Sequence, residues 1–184
     1  ADTPWYVIGN GSNLLVSDKG FPGVIISTDK FDRLEVNGTE ITVGAGVMLS
    51  KLAKTAYKAG LAGLEFAAGI PGLVGGAVAM NAGAYGGEIK DVIVSAKVLT
   101  ASGEIIELSK EALELSYRHS CIPEKEYIVM EAVLEFTPGN ENEIRDLMAD
   151  FKNRRVEKQP LEYPSAGSTF KRPEGYFAGA LIEG

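Results

Sequence analysis

The segment Gly9-Asn10-Gly11-Ser12-Asn13 combines two glycines with short amide and hydroxyl side chains. The glycines allow the backbone to approach a ligand closely, and successive N–H groups, together with Ser12 and Asn13, could cradle a diphosphate. The segment does not match a Rossmann fingerprint, because Leu14 occupies the sixth position and a strand is predicted where a dinucleotide-binding helix would begin. A plain hairpin turn, which Asn-Gly favours, is the alternative interpretation.

Residues 68–87 form a segment rich in glycine and alanine, without a charged side chain. Glycine inside a helix or strand costs about 0.5–1 kcal/mol, so this composition indicates a close backbone approach to a partner. A flat or phosphorylated cofactor is one such partner, with Asn81 and Tyr85 as polar edges. Tight packing of a helix on a sheet is the alternative. A membrane span is disfavoured by Pro71 and by the scarcity of large aliphatic residues.

Two further segments contain polar groups that could contact a substrate. In Tyr117-Arg118-His119-Ser120, the arginine can pair with a carboxylate or phosphate, although an exposed charge is the simpler interpretation. His119 is the single histidine, so a catalytic triad or a histidine-rich metal site would depend on it alone, and we predict no metal site. In residues 165–173, Gly-Ser could present a hydroxyl group, or could simply form a turn.

The elements that must position these segments follow from hydrophobic periodicity and from turn residues. Strands are predicted near residues 5–8, 13–16, 24–27, 33–36, 40–43, 92–99, 104–108 and 127–136. Helices are predicted over residues 49–59, over 109–115 with Ser109 as N-cap, after residue 140 with a basic end at 152–158, and from near residue 177. The early strands form one β-rich block, and strands and helices then alternate.

Composition limits the classes of function that the chain can have. The 184 residues allow one or two domains, and a net charge of −7 from 25 acidic and 18 basic residues disfavours nucleic acid as a partner. Cys121 is the single cysteine, which excludes an intrachain disulfide, a cysteine zinc site and an iron–sulfur cluster. The amino end does not resemble a secretory signal. We therefore expect a cytoplasmic protein that does not enter a membrane.

The four segments, taken in order, resemble the UDP-N-acetylenolpyruvoylglucosamine reductase family over nearly the whole chain. The resemblance depends on residues 9–13, on Gly69-Ile70-Pro71-Gly72 through Gly83-Ala84-Tyr85-Gly86, on Tyr117-Arg118-x-Ser120, and on Ala166-Gly167-Ser168-x-Phe170-Lys171. It implies an α+β fold of the FAD-binding type shared with vanillyl-alcohol oxidase and PCMH. It also implies FAD-binding subdomains at residues 1–48 and 49–150, and the start of a substrate domain at 151–184.

The resemblance also implies roles for individual residues. The FAD ligands would be Gly9, Asn10, Gly11, Ser12, Asn13, Gly69, Gly75, Gly76, Asn81, Ala82, Gly83, Tyr85 and Val129. The catalytic residues would be Ser168, as general acid, and Arg118, which would stabilise an enolate. The substrate residues would be Tyr117, Arg154, Lys158 and Lys171.

The implied reaction is the reduction of an enolpyruvyl UDP-sugar by NADPH through FAD, in the synthesis of a cell-wall precursor. A serine hydroxyl is a poor acid in water, so this role requires surroundings that stabilise the anion or relay a proton. Another FAD oxidoreductase of the same fold and a non-catalytic flavin-binding module are the alternatives. Substrate trials would identify the first alternative, and the sequence of the parent gene would identify the second.

Two departures from the family pattern modify these expectations. Arg172 follows the lysine of the serine motif where longer members have asparagine, which indicates the shorter form of the enzyme. The chain ends at Gly184, before any segment that matches the family's second catalytic acid, a glutamate. We therefore expect a fragment, truncated at both ends, that is inactive alone and comes from a monomeric enzyme.

Overall fold

The computed structural model describes residues 3–159, 162–163 and 169–183. Its strands, in chain order, are β1 (Trp5–Ile8), β2 (Val24–Ser27), β3 (Leu34–Asn37), β4 (Glu40–Gly44), β5 (Leu61–Ala62), β6 (Gly83–Ala84), β7 (Gly87–Glu88), β8 (Ile93–Leu99), β9 (Ile105–Ser109), β10 (Ile128–Glu135) and β11 (Thr137–Pro138). Its α-helices are α1 (Leu49–Lys58), α2 (Val74–Ala79), α3 (Cys121–Glu124), α4 (Glu141–Lys158) and α5 (Ala178–Glu183). Short 3-10 helices cover Glu65–Ala67 and Ile89–Asp91.

A five-stranded antiparallel sheet, in the order β3-β4-β10-β8-β9, supports the fold. In its central strand β10, burial alternates from Glu131 onward, with Ala132 and Leu134 in the core, and Val129 is also buried on the other side of a register shift between Val129 and Glu131. This alternation is typical of a strand with one covered face. The short helix α2 packs against β10 on the covered face.

Helix α1 contributes an apolar stripe to the same core. Leu49, Leu52, Ala53 and Ala56 follow the spacing of one helical face, and all four are buried. The helix ends before Gly60, whose positive φ of 67° reverses the chain. Its bounds confirm the helix predicted at 49–59.

Strands β1 and β2 form a separate parallel pair beside the large sheet. The connection runs through residues 28–33, because Gly46 donates its N–H to the Phe31 carbonyl at 2.9 Å and Gly44 donates to the Arg33 carbonyl at 2.8 Å. A Cβ atom on Gly46 would overlap the Thr28 carbonyl oxygen. Glycine at this position is therefore what lets the two sheets meet.

Two predicted elements are wrong. Residues 13–16 form an exposed loop instead of a strand. The Leu15 side chain is 99% exposed, so it packs against neither a strand nor the core of the described residues. Residues 110–114 form a turn instead of a helix. Leu113 donates to the Ser109 carbonyl, but Glu114 adopts a left-handed φ of 53°, which stops a helix after one turn.

Helix α2 was missed because glycines occupy two of its six positions and lower its predicted helicity. The remaining long strands agree with the sequence predictions to within a few residues, and so do helices α4 and α5.

The predicted domain boundary after residue 48 separates β4 from β10, which pair in one sheet. That boundary stays a prediction. Within the described ranges, each helix is too short or too polar to span a membrane.

We predict that Gly46→Ala lowers the free energy of unfolding by about 2 kcal/mol or more, because its methyl group must displace the Thr28 backbone. Gly179→Ala is the matched control. It makes the same change to the unfolded chain, and its Cβ meets no atom within 4 Å. Denaturant unfolding of both variants measures the difference, and equal stability would contradict the assigned contact.

Candidate functional site

A cleft of about 1260 Å³, hereafter the main cleft, lies between the β1 side of the molecule and helix α2. Its volume exceeds the range typical of sites for small drug-like ligands and suits an extended dinucleotide. Of the predicted FAD ligands, those that line the cleft are Gly9, Asn10, Gly11, Ser12, Asn13, Gly75, Gly76, Ala82, Gly83 and Val129. Arg118 lines it as well.

The loop of residues 9–13 presents its backbone to the main cleft. Gly11 has a φ of 69°, which glycine adopts without strain. The Asn10 amide donates to the Pro71 carbonyl at 3.0 Å and ties this loop to the one before α2. Among the described residues, the N–H groups of residues 10–13 have no backbone acceptor. The loop therefore offers a row of donors suited to an anion.

The two adjacent glycines of α2, Gly75 and Gly76, differ in what surrounds them. A Cβ on Gly75 would lie 2.9 Å from the Ala45 Cβ, so Gly75 allows the helix to touch the segment after β4. A Cβ on Gly76 would meet no protein atom within 4 Å, and Gly76 faces the main cleft. Nothing within the described protein explains the helix-weakening glycine at position 76. A ligand lying against the backbone explains it.

Arg118 lies at the edge of the main cleft in a strained turn. The backbones of Ser116 and His119 exchange two hydrogen bonds of 3.1 Å, and Arg118 has a φ of 54° within this 116–119 turn. Such a conformation is unfavourable for a residue with a side chain and is common at functional sites. The Arg118 guanidinium donates to the Gly83 carbonyl at 2.7 Å, so it stays next to the wall of the cleft.

Asn81, which was predicted to line the path of FAD, is not among the residues that line the two pockets, and its predicted contact with FAD stays a prediction. Its side chain is fully buried and forms hydrogen bonds with Glu88, Lys90 and Ser116. One partner is the Glu88 carboxylate. The hydrogen bond from the Lys90 ammonium lowers the pKa of Glu88, and the Asn81 amide and the Arg118 guanidinium act in the same direction. Glu88 therefore carries a negative charge that interacts favourably with Arg118.

A smaller pocket of about 250 Å³, hereafter the basic pocket, adjoins the main cleft. Its lining residues include Gly69, Tyr85, Arg154, Arg155 and Lys158. The two pockets share Ile70, Arg155 and Gln159 in their walls. Gly69 and Tyr85, which were predicted to bind FAD, therefore lie in the pocket that also holds Arg154 and Lys158, two of the four predicted substrate residues.

Two contacts attach helix α4 to the small-residue segment. The Tyr85 ring stacks on Phe151 with a centroid separation of 4.5 Å and an interplanar angle of 5°. The Arg155 guanidinium donates to the Gly69 carbonyl. Arg154 pairs with Asp150 at 2.7 Å, one helical turn away. The Tyr85–Phe151 stack and the Arg155 hydrogen bond bring the basic end of α4 to the wall of the basic pocket.

Tyr117 is exposed and lies beside the segment that follows Ser168. Its hydroxyl oxygen accepts the Arg172 N–H at 3.3 Å, and the Arg172 guanidinium lies over the Phe177 ring. Lys171 is exposed and lines neither pocket. Ser168 lies outside the described residues, so its predicted role stays a prediction. No cluster of metal ligands occurs in the part of the chain that the structure describes.

Several residues of the pocket walls were not predicted from the sequence. Ile122, Pro123, Tyr127 and Tyr163 line the main cleft, and Arg155 borders both pockets. The apolar wall residues have no sequence signal that separates them from core residues. Arg155 did have one, because it belongs to the basic run at the end of α4.

The model of the FAD-binding domain family matches residues 1–109. The chain therefore belongs to the FAD-binding domain family. Its curated relatives include the UDP-N-acetylenolpyruvoylglucosamine reductase of Agathobacter rectalis, which is 58% identical over 98% of this chain and 62% of the relative. The reductase of Clostridium novyi is 55% identical over 98% of this chain and 59% of the relative. The resemblance identified from sequence is thereby confirmed.

Solved structures agree with this assignment. The reductase of the same name from Thermus caldophilus has a TM-score of 0.87 and 39% identity, over 99% of this chain and 66% of that chain. The 6-hydroxy-D-nicotine oxidase of Arthrobacter nicotinovorans has a TM-score of 0.57 at 22% identity, over 74% of this chain and 31% of that chain, which shows the fold alone. The chain spans about 60% of the length of the curated relatives that it matches.

We predict opposite effects for the two glycines of α2. Gly76→Ala should stabilise the flavin-free full-length protein by about 0.5–1 kcal/mol and weaken FAD binding about tenfold or more, because the methyl group occupies the ligand's path. Gly75→Ala should destabilise the flavin-free protein by about 1–3 kcal/mol through overpacking against Ala45. Thermal unfolding and flavin titration measure the two effects. Unchanged FAD affinity in Gly76→Ala would remove Gly76 from the site.

Proposed function

We propose that this chain is the flavin-binding part of an enzyme that reduces UDP-N-acetylglucosamine enolpyruvate to UDP-N-acetylmuramate, with FAD as cofactor and NADPH as hydride donor. The name shared by the relatives, at more than half identity over nearly the whole chain, supports this proposal. The substrate, the hydride donor and the overall activity belong to the proposal, since the chain spans about 60% of the relatives' length.

The observation that carries the proposal is that the main cleft and the basic pocket lie side by side and share wall residues. The main cleft has a backbone-lined wall suited to a flavin dinucleotide, and the basic pocket opens beside it with Arg154, Arg155 and Lys158 in its wall. A nucleotide sugar carries a diphosphate, for which guanidinium and ammonium groups are suitable partners. An oxidase acting on a neutral or cationic substrate has no need for three basic residues at this position.

The residues of the main cleft fit the cofactor and the reaction. When bound, FAD supplies the hydride that it has received from NADPH. The donors of loop 9–13 would hold its diphosphate, and Gly76 leaves room for its approach. Arg118 would offset the negative charge that grows on the substrate carboxylate as an enolate forms, without losing its own proton.

Ser168 would donate the proton that completes the reduction at the neighbouring carbon. Its motif continues into Thr169–Pro173, and the hydrogen bond from the Arg172 N–H to Tyr117 brings this continuation beside the 116–119 turn. The contact supports a shared site for Ser168 and Arg118. Lys171 and Tyr117 are proposed as substrate residues on the same ground, because they lie in the two segments that this contact joins.

The remaining parts of the proposal concern the cell. The reaction supplies a precursor of peptidoglycan, so the enzyme would act in cell-wall formation and thereby in cell shape and division. We propose a cytoplasmic monomer with no nucleic-acid or membrane partner, on the basis of the acidic composition and the single cysteine.

We predict that Ser168→Ala in the full-length protein separates the two half-reactions. NADPH should still bleach the flavin absorbance at a near-normal rate, because this step needs no proton from Ser168. The return of absorbance on addition of the enolpyruvyl substrate should slow by about 100- to 10,000-fold, the usual cost of losing a positioned proton donor. Ser168→Cys should recover part of the rate. A normal return in Ser168→Ala would remove this residue from the mechanism.

We predict that Arg154→Ala and Lys158→Ala each raise the Michaelis constant for the nucleotide sugar by about tenfold, the loss of one charge-assisted hydrogen bond. Flavin reduction by NADPH should change much less. Lys152→Ala is the control, because Lys152 is exposed on the same helix and lines neither pocket. Steady-state and stopped-flow kinetics measure the two quantities. An equal fall in both half-reactions would make the pair structural.

A further inference from the structure

Asn81 joins three separate segments beneath the main cleft. Its amide nitrogen donates to the Ser116 carbonyl at 2.9 Å and to the Glu88 carboxylate at 3.1 Å. Its amide oxygen accepts the Lys90 N–H at 2.9 Å. Both amide N–H donors and one acceptor position of the oxygen are therefore used within the protein.

The residue type at position 81 is restricted by two separate requirements. The backbone has a positive φ of 39°, which asparagine tolerates better than most residues with a side chain. The side chain must also donate twice and accept once, which an amide can do and a carboxylate cannot. Asparagine meets both requirements at a fully buried position.

The Ser116 carbonyl that Asn81 holds belongs to the 116–119 turn, which carries Arg118. Arg118 in turn donates to the carbonyl of Gly83, two residues after Asn81. Segments 81–83 and 116–118 therefore bind each other reciprocally. The turn holds Arg118 in a left-handed conformation, so contacts from outside the turn must offset this strain.

We propose that Asn81 is a positioning residue that fixes the 116–119 turn, and thereby aims the Arg118 guanidinium at the reacting substrate. The proposal rests on the role given to Arg118 under Proposed function. Glu88 completes the arrangement as a third member, since it accepts from Asn81 and carries a charge opposite to that of Arg118.

The test is Asn81→Asp in the full-length protein. The substitution keeps the side-chain shape, removes both donors, and places a second carboxylate beside Glu88. We expect faster hydrogen exchange in residues 112–122, because the hold on the turn is lost. Substrate-driven reoxidation of the flavin should slow about 10- to 100-fold, the scale of a small misplacement of a reacting group. The rate of flavin reduction by NADPH should stay near normal.

Asn140→Ala is the control for a general loss of stability. Asn140 caps α4 by accepting the Asn142 and Glu143 N–H groups, and it lines neither pocket. This variant should lower stability without separating the half-reactions. If Asn81→Asp does not fold, Asn81→Gly removes the same two donated bonds, together with the acceptor for the Lys90 N–H, and also relieves the positive φ. The same exchange and kinetic results are expected of it.

A double-mutant cycle with Arg118→Ala decides whether Asn81 acts through Arg118. We expect Asn81→Asp to slow reoxidation no further in the Arg118→Ala background, whereas additive losses would overturn the proposal. Unchanged exchange in residues 112–122 would overturn it as well. If Arg118→Ala alone leaves reoxidation normal, the proposed function fails at that residue. The exchange measurement still reports separately whether Asn81 holds the turn.

Discussion

The docking of helix α2 against the segment after β4 determines where the other parts of the site can lie. The N–H groups of Val74 and Gly75 donate to the carbonyls of Val47 and Ala45, each at 2.9 Å, and the absence of a side chain on Gly75 permits this approach. These bonds satisfy helix-terminal donors that water would otherwise have to solvate. They also fix the floor of the main cleft to the central sheet.

Both walls of the cleft are then attached to this floor. On one side, Asn10 bonds to the Pro71 carbonyl just before α2. On the other side, the buried Ser120 hydroxyl donates to the Ala79 carbonyl at the end of α2, at 2.6 Å. A six-residue helix thus relates the loop of residues 9–13 to the turn that carries Arg118. Side-chain bonds to fixed carbonyls are well suited to this purpose, because a buried carbonyl left without a donor costs about 1–3 kcal/mol.

Much of this arrangement could be predicted from the sequence, and the failures have physical causes. The strands and α1 follow hydrophobic periodicity. The motif at residues 9–13, singled out from the sequence, lines the main cleft, and its contact with the FAD diphosphate stays a prediction. The roles of Gly75, Gly76 and Asn81 could not be separated. A glycine-rich run indicates that something approaches the backbone closely. Whether that partner is another part of the protein or a ligand can be seen only from three-dimensional contacts. The left-handed conformations of Asn81 and Arg118 leave no trace in periodicity.

The stacking of Tyr85 on Phe151 limits which amino-acid substitutions the protein can accept. The stack and the bond from Arg155 to the Gly69 carbonyl attach α4 to the small-residue segment that also lines the main cleft. A substitution at either end of these contacts would therefore change the spacing between the two pockets. Substitutions at Tyr85 and Phe151 should for this reason be accepted mainly as compensating pairs.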